Sequence, residues 1–212
     1  MATENAGKGL RSTSVALATT ALACFIYAAV ALLTLHFLRP DYAPASNFIS
    51  NYAVGRYGWV MTTWFLAMSC GLLALAAGLH TSGLRSITGR LGIFLLLVAS
   101  VGLVVSAVFP TDIAGAPSTR SGAIHDQSFL VNVGSIFMAS ILLSVSFATH
   151  PAWRSFRGIA WILTVLILTG FVIQFLTLHK GMPYGLANRF FVLVLLAWLF
   201  GVTLRLRSLP PV

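Results

Sequence analysis

An all-α bundle of six membrane-spanning helices is the fold this sequence predicts, and three observations predict it. Hydrophobic residues make up 58% of the 212 positions and charged residues 8%, with a mean hydropathy of +0.92, far from the make-up of soluble domains. The apolar residues gather into six runs, roughly 13–37, 58–79, 91–109, 127–148, 158–178 and 190–204, the lengths expected when about 20 residues cross the hydrocarbon layer as a helix. Lys and Arg, finally, divide unequally between the two sets of breaks.

The first run follows Lys8 and Arg11, and "ALAC" ends at Cys24 in the manner of a lipoprotein cleavage site. Leu stands one position too close to the cysteine, and the run continues through "FIYAAVALLTLHFL", so the segment reads as an uncleaved span. In the second run Ser69, Gly71 and Gly78, in the third Gly92, Ser100, Gly102 and Ser106, and in the fourth Gly134, Ser135 and Ser140 are small enough to let helix backbones approach. Cys24 and Cys70 fall inside the first two spans, where small buried hydrophobes are expected instead of a disulfide framework. Trp59, Trp64, Tyr42, Tyr52, Tyr57 and Tyr184 collect toward one end of the spans, and Trp153 and Trp161 toward the other, as interfacial anchors do. "LTLH" closes the first span at 33–36 and the fifth at 176–179, placing His36 and His179 at one membrane surface.

The charge division sets an expected orientation. Lys8, Arg11, Arg85, Arg90, Arg154, Arg157, Arg205 and Arg207 share one side with the single acid Glu4, whereas Arg39, Arg56, Arg120, Lys180 and Arg189 share the other with Asp41, Asp112 and Asp126. The more cationic side is expected to be cytoplasmic, with both termini inside and a bacterial plasma membrane as the location. The net charge of +9 then reads as a topology signal served by anionic headgroups, with membrane lipids as partners and no nucleic acid.

The polar residues sort by side as well. All three aspartates fall outside, together with His36, His125 and His179. His125, Ser128, Asn132 and Ser135 follow steps of three, four and three, one face of a helix, so the cluster continues down the fourth span for about 15 Å. Gln174 on the fifth span is expected to meet that stripe. Asp126 or Ser121 is expected to cap the fourth helix, and Arg56, Arg120 and Arg189 to pair with the acids at the rim. In "RPDYAPASNFISNYAVGRYGW", Ser46 is the expected N-cap of a short surface helix presenting Phe48, Ile49, Tyr52 and Ala53 over the cluster.

The runs "DYAPASNFISNYAVGRYGWVMTTWF" and "FPTDIAGAPSTRSGAIHDQSF" and the later "NRFF" resemble domain of unknown function 998, an uncharacterised bacterial and archaeal family of six-span membrane proteins. The resemblance runs from about residue 15 to 205 and implies that Ser50, Asp112, His125 and Asn188 hold the family's characteristic polar positions. It implies a fold and no activity. A fainter similarity, "IS" in the first outer loop and a His opening the fourth span, is to the Frag1/DRAM/Sfk1 membrane proteins.

Several functions fit these residues. Asp112 and His125 form a candidate acid/base pair, since a carboxylate orients an imidazole and supports its protonated form; Arg56, Asn132, Asn188, Arg189 and Ser50 are candidate supports for a lipid-like ligand. His36, Asp112, His125 and His179 carry ligand types suited to zinc, without any HxxxH or HExxH pair, so the expectation is no cofactor, with zinc as the weaker alternative. Transport and a scaffold role, in a homo-oligomer or with another membrane protein, are the other classes; the polar stripe has no acid or base deeper in the membrane to complete a path. Lys8 and Lys180 lie outside the spans, against a retinal-type Schiff base, and no GxxxxGK[ST] loop is present.

Overall fold

Six long helices follow one another in the computed structural model, which describes residues 2–113, 115–179 and 181–209, with side chains from residue 12 onward. They are α1 (Ala2–Leu38), α2 (Gly58–Thr81), α3 (Ile87–Val108), α4 (Arg120–Thr149), α5 (Arg157–Leu176) and α6 (Tyr184–Arg207). Each carries a segment long and apolar enough to cross a bilayer, and the chain is an integral membrane protein. Two short 3-10 helices, Ile49–Ala53 and Pro151–Phe156, lie in the connections.

The spans expected from hydropathy all appear, but α1, α3, α4 and α6 start earlier than their apolar runs. Helix α4 begins at Arg120 because Thr119 caps it, its hydroxyl accepting from Gly122 N at 3.1 Å. Helix α6 begins at Tyr184, directly after Pro183, whose fixed φ suits the approach to a helix. Ser121, one expected cap of α4, donates instead to the Pro110 carbonyl at 3.0 Å.

Sequential helices pack side by side, and α6 returns to α1 and touches α2, so the bundle closes on itself. Small residues set the close approaches. A Cβ at Gly71 would meet the Phe25 ring at 2.5 Å, and one at Gly92 would meet Leu143 at 2.7 Å. Between α2 and α3, Ser69 Oγ donates to the Ser100 carbonyl at 2.9 Å and Ser100 Oγ to the Ser69 carbonyl at 3.1 Å, satisfying both hydroxyls where no water can.

The two ends differ in construction. One, the tight-turn end, holds the connections 82–86 and 150–156; there Trp153 stacks on Phe147 at 4.2 Å and Arg205 donates to the Ala152 carbonyl. The other, the loop end, holds the connections 39–57, 109–119 and 177–183. Arg39, Arg56, Arg120, Arg189 and the three aspartates belong to the loop end, and Arg85, Arg90, Arg154, Arg157, Arg205 and Arg207 to the tight-turn end. The side chains of Glu4, Lys8 and Arg11, and Lys180 as a whole, lie outside the described residues.

Two expectations need correction here. Trp64, Tyr52 and Trp153 are not interfacial anchors: all three are buried, because each packs against neighbouring aromatic rings. The short helix in the first loop starts at Ile49, with Phe48 and not Ser46 at its cap, and it tucks Ile49, Asn51 and Tyr52 into the bundle instead of lying on a surface. Cys24 and Cys70 are free thiols.

Candidate functional site

The first loop folds over the loop end as a cover, and one face of α6 holds it. Gly185, Asn188 and Arg189 stand at positions i, i+3 and i+4, so they share a face. Gly185 lets the backbone of 44–47 lie directly on the helix: its N–H donates to the Ala45 carbonyl at 2.9 Å, and a Cβ there would stand 2.6 Å from the Asn47 carbonyl oxygen. Asn188, buried, accepts from Ile49 N at 3.1 Å through Oδ1 and donates through Nδ2 to Gln174 Oε1 at 3.2 Å. Arg189 spreads its guanidinium across the cover: Nη1 donates to the carbonyls of Pro44 (2.9 Å), Asn47 (2.7 Å) and Gly185 (3.0 Å), Nη2 to Tyr52 Oη (3.1 Å), and Nε to His36 Nε2 (2.8 Å). His36 can accept there because its Nδ1–H goes to the Leu32 carbonyl at 2.7 Å.

A second knot fixes the start of the loop. Arg39, 6% exposed, pairs with Asp41 at 2.8 Å and donates through Nη1 to the carbonyls of Val54 and Arg56, both at 2.7 Å. This pairing raises the Arg39 pKa and lowers that of Asp41 below its ordinary value. Among the described residues it is the ion pair found at this end; the expected pairing of Arg56, Arg120 and Arg189 with the acids does not form, since backbone carbonyls take Arg189 and the Tyr57 ring takes Arg56 (4.7 Å).

Beneath the cover lies a cavity of about 300 Å³ between α2, α3, α4, α5 and α6, at the lower end of the range for small-molecule sites. Its walls are mainly apolar: Phe65 and Met68 from α2, Leu103 from α3, Phe129 and Val133 from α4, Phe191 from α6. Its deepest lining residues are Met68, Ile136 and Leu195, so it occupies the half of the bundle nearer the loop end. Helices α4 and α5 are joined by hydrogen bonds at Ser144–Thr164 (3.3 Å) and Thr164 to the Ser140 carbonyl (3.4 Å), in the other half. Closer to the loops, Leu130, Phe175 and Leu178 line the cavity yet remain 55%, 47% and 46% exposed. They rim a mouth on the lipid-facing side, between α4 and α5, that runs up to Asp126.

The polar part of the wall is built around the α4 stripe. His125, Ser128, Asn132 and Ser135 are all buried, as the spacing predicts. Ser106 on α3 joins them: Ser106 Oγ and Ser128 Oγ are 2.7 Å apart, and Asn132 Nδ2 donates to Ser106 at 3.2 Å. Asn132 Oδ1, packed where Gly102 leaves room, has no partner among the described residues. Gln174 lines the same cavity but bonds Asn188 and not the stripe.

His125, 3% exposed, stands edge-on to Phe65 at 5.7 Å. Its Nδ1 lies 2.8 Å from the Phe109 carbonyl oxygen; a carbonyl only accepts, so Nδ1 carries the proton and Nε2 of the neutral ring is a bare acceptor. Phe109 can offer that carbonyl because α3 has just ended there.

Asp112 does a different task. Its carboxylate accepts from Thr119 Oγ1 at 2.6 Å and Thr119 N at 2.9 Å, and Thr119 in turn caps α4, so Asp112 extends the cap. Those two bonds hold its carboxyl below the ordinary aspartate pKa. Thr119 takes the carboxylate and the Phe109 carbonyl takes the imidazole, so the Asp112–His125 pair suggested by the loop is not hydrogen-bonded; Asp112 positions the helix that carries His125.

The four possible zinc ligands are not brought together. Both nitrogens of His36 and both oxygens of Asp112 are engaged as described, His179 is exposed, and among the described residues no group of three or more His, Cys, Asp or Glu is placed to hold a metal ion. Ser50 lines the cavity, whereas Arg56 is exposed away from it. The residues that sequence reasoning missed are Trp64 and Ser106, both on the cavity wall; Ser106 lies four residues from Gly102 on the small-residue face of α3, the one signal that could have marked it.

No curated protein and no solved structure matches the chain. The family model for proteins of unknown function designated DUF998 matches residues 15–205. With that match spanning nearly all of the six-helix bundle and its covered cavity, the chain belongs to the DUF998 family.

Proposed function

We propose that this protein binds a lipid-like amphiphile that enters sideways from the bilayer, between α4 and α5, and places its head near His125. The observation that carries this reading is the cavity mouth. Apolar side chains that line an interior cavity and also face lipid, as Leu130, Phe175 and Leu178 do, give an acyl chain a continuous apolar path, while the cover fixed by Arg189 and Asn188 closes the aqueous side. The charge division supports a plasma-membrane location with the loop end outward, which makes the outer leaflet the source.

Trp64 supplies the test, because it lines the cavity while only 5% exposed. With the other four tryptophans, Trp59, Trp153, Trp161 and Trp198, replaced by Phe, its fluorescence reports the cavity alone. Single-chain lipids brominated on the chain are expected to quench Trp64 in proteoliposomes strongly. Quenching no greater than that of a variant retaining only the buried Trp198 would refute the reading.

A further inference from the structure

The His36 ring joins the frame of the bundle to the group that holds the cover. It stands on α1, two residues before that helix ends, and is half-buried. On the frame side its Nδ1–H donates to the Leu32 carbonyl, one turn back, at 2.7 Å. On the cover side its Nε2 accepts from Arg189 Nε at 2.8 Å, and the ring stands edge-on to Tyr52 at 5.4 Å. Both bonds exist together only in the neutral ring with its proton on Nδ1, because a carbonyl only accepts and a guanidinium only donates.

A proton on Nε2 turns that acceptor into a donor. Two N–H groups then face each other across a 2.8 Å contact, and two cations stand where there was one. Imidazole is the side chain whose charge ordinarily changes between about pH 5 and 8. His36 cannot turn away without breaking its bond to Leu32, so Arg189 is the group that moves. Its guanidinium is a rigid plane, and the same plane carries Nη1, which holds the Pro44 and Asn47 carbonyls, and Nη2, which holds Tyr52 Oη. Displacing Nε therefore draws the whole fork off the cover.

The elements packed against the ring supply no counter-charge to keep the protonated form in place. The first loop contributes the Tyr52 phenol; its one acid, Asp41, is taken by Arg39. The first turns of α6 contribute Arg189 and Tyr184, and the Tyr184 ring lies against Phe48. The loop-end turns of α2, residues 58–63, carry no titratable side chain.

We propose that His36 is an acid-released latch: neutral, it holds Arg189 on the cover; protonated, it frees the fork and opens the cavity from the loop end. The latch stands on the contacts of His36 and Arg189. Its consequence, that acid on the loop-end side exposes the head of a bound amphiphile to water, rests on the binding reading above.

The test is reaction of Ser50→Cys with a neutral dithiodipyridine, in the full chain in detergent with Cys24 and Cys70 replaced by Ala, from about pH 8 to about pH 5. Each rate is divided by that of Ser118→Cys, at an exposed position of the 109–119 connection, which corrects for ionisation of the thiol itself. In the parent the ratio is expected to rise about tenfold as the pH falls, the scale of losing one hydrogen bond to a charged group. His36→Gln, whose amide oxygen accepts from Arg189 but takes up no proton in this range, is expected to keep the ratio low and level. His36→Lys, a cation throughout, is expected to hold it high and level; should that variant not fold, the parent and His36→Gln decide the matter. A level ratio in the parent overturns the latch, and so does a rise that persists in His36→Gln, which would assign the acid response to another group. The labelling needs no ligand, so its failure leaves the amphiphile reading intact, and absence of Trp64 quenching leaves the latch intact.

Discussion

Replacing Asn188 by Leu removes two hydrogen bonds from one buried position. Its amide accepts from Ile49 N in the cover and donates to Gln174 Oε1 on α5, while the side chain is 2% exposed. Leu fills a similar space, so the loss is chiefly polar: an orphaned Ile49 N–H and an orphaned Gln174 carbonyl. An interhelical side-chain bond in a membrane contributes about 0.6 kcal/mol on average, and a buried backbone donor left unpaired costs about 1–3 kcal/mol. Together these give a destabilisation of about 2 kcal/mol, most of it at the cover. Adding Gln174→Leu removes the second orphan, so the double variant should be no less stable than Asn188→Leu alone. The assay pairs thermal unfolding in detergent with thiol labelling of Ser50→Cys, in a background where Cys24 and Cys70 are Ala; labelling should quicken in Asn188→Leu as the cover loosens. Unchanged labelling with a stability loss below about 0.5 kcal/mol, the range of an ordinary surface substitution, would refute the reasoning.

Gly185→Ala should loosen the same cover, because the new methyl meets the backbone of Asn47, which cannot rotate away; quicker Ser50→Cys labelling is the readout. Arg189→Lys keeps the charge but loses the planar fork that reaches Tyr52, His36 and three carbonyls at once, so it should resemble Gly185→Ala and not the parent. Thr119→Ala should destabilise α4 by about 1 kcal/mol through loss of its cap, measured by thermal unfolding. The depressed carboxyl of Asp112 contributes stability that is present above the unfolded aspartate pKa and is lost as pH falls through its lower folded value; the melting temperature of Asp112→Asn should therefore fall less steeply in acid than that of the parent.

The spans were legible because hydrocarbon demands long apolar runs, and no run of this chain is used otherwise. The α4 stripe was legible for a related reason: polar residues are rare in these spans, so His125, Ser128, Asn132 and Ser135 stand out at helical spacing and do turn inward. The cavity itself was not. In a chain this apolar, Phe65, Met68 and Phe191 differ in no way from lipid-facing Phe94 or Leu193, and only the packing of the helices decides which of them enclose space. Partner choice was equally hidden. Arg189 pairs with no acid among the described residues, because the cover presents the Pro44 and Asn47 carbonyls and the Tyr52 phenol, and α6 and α1 add the Gly185 carbonyl and the His36 imidazole, all within one fork's reach; the Asp112 carboxylate accepts from Thr119, at a helix start seven residues along.

Native mass spectrometry of protein extracted gently from its own membrane tests the central claim most directly, comparing the parent with Leu103→Trp, which fills the cavity wall, and Leu193→Trp, which adds the same bulk on the lipid-facing side of α6. One lipid is expected to be retained by the parent and by Leu193→Trp and lost from Leu103→Trp, with all three folded. Bare particles throughout, or the same lipid on all three, would contradict it.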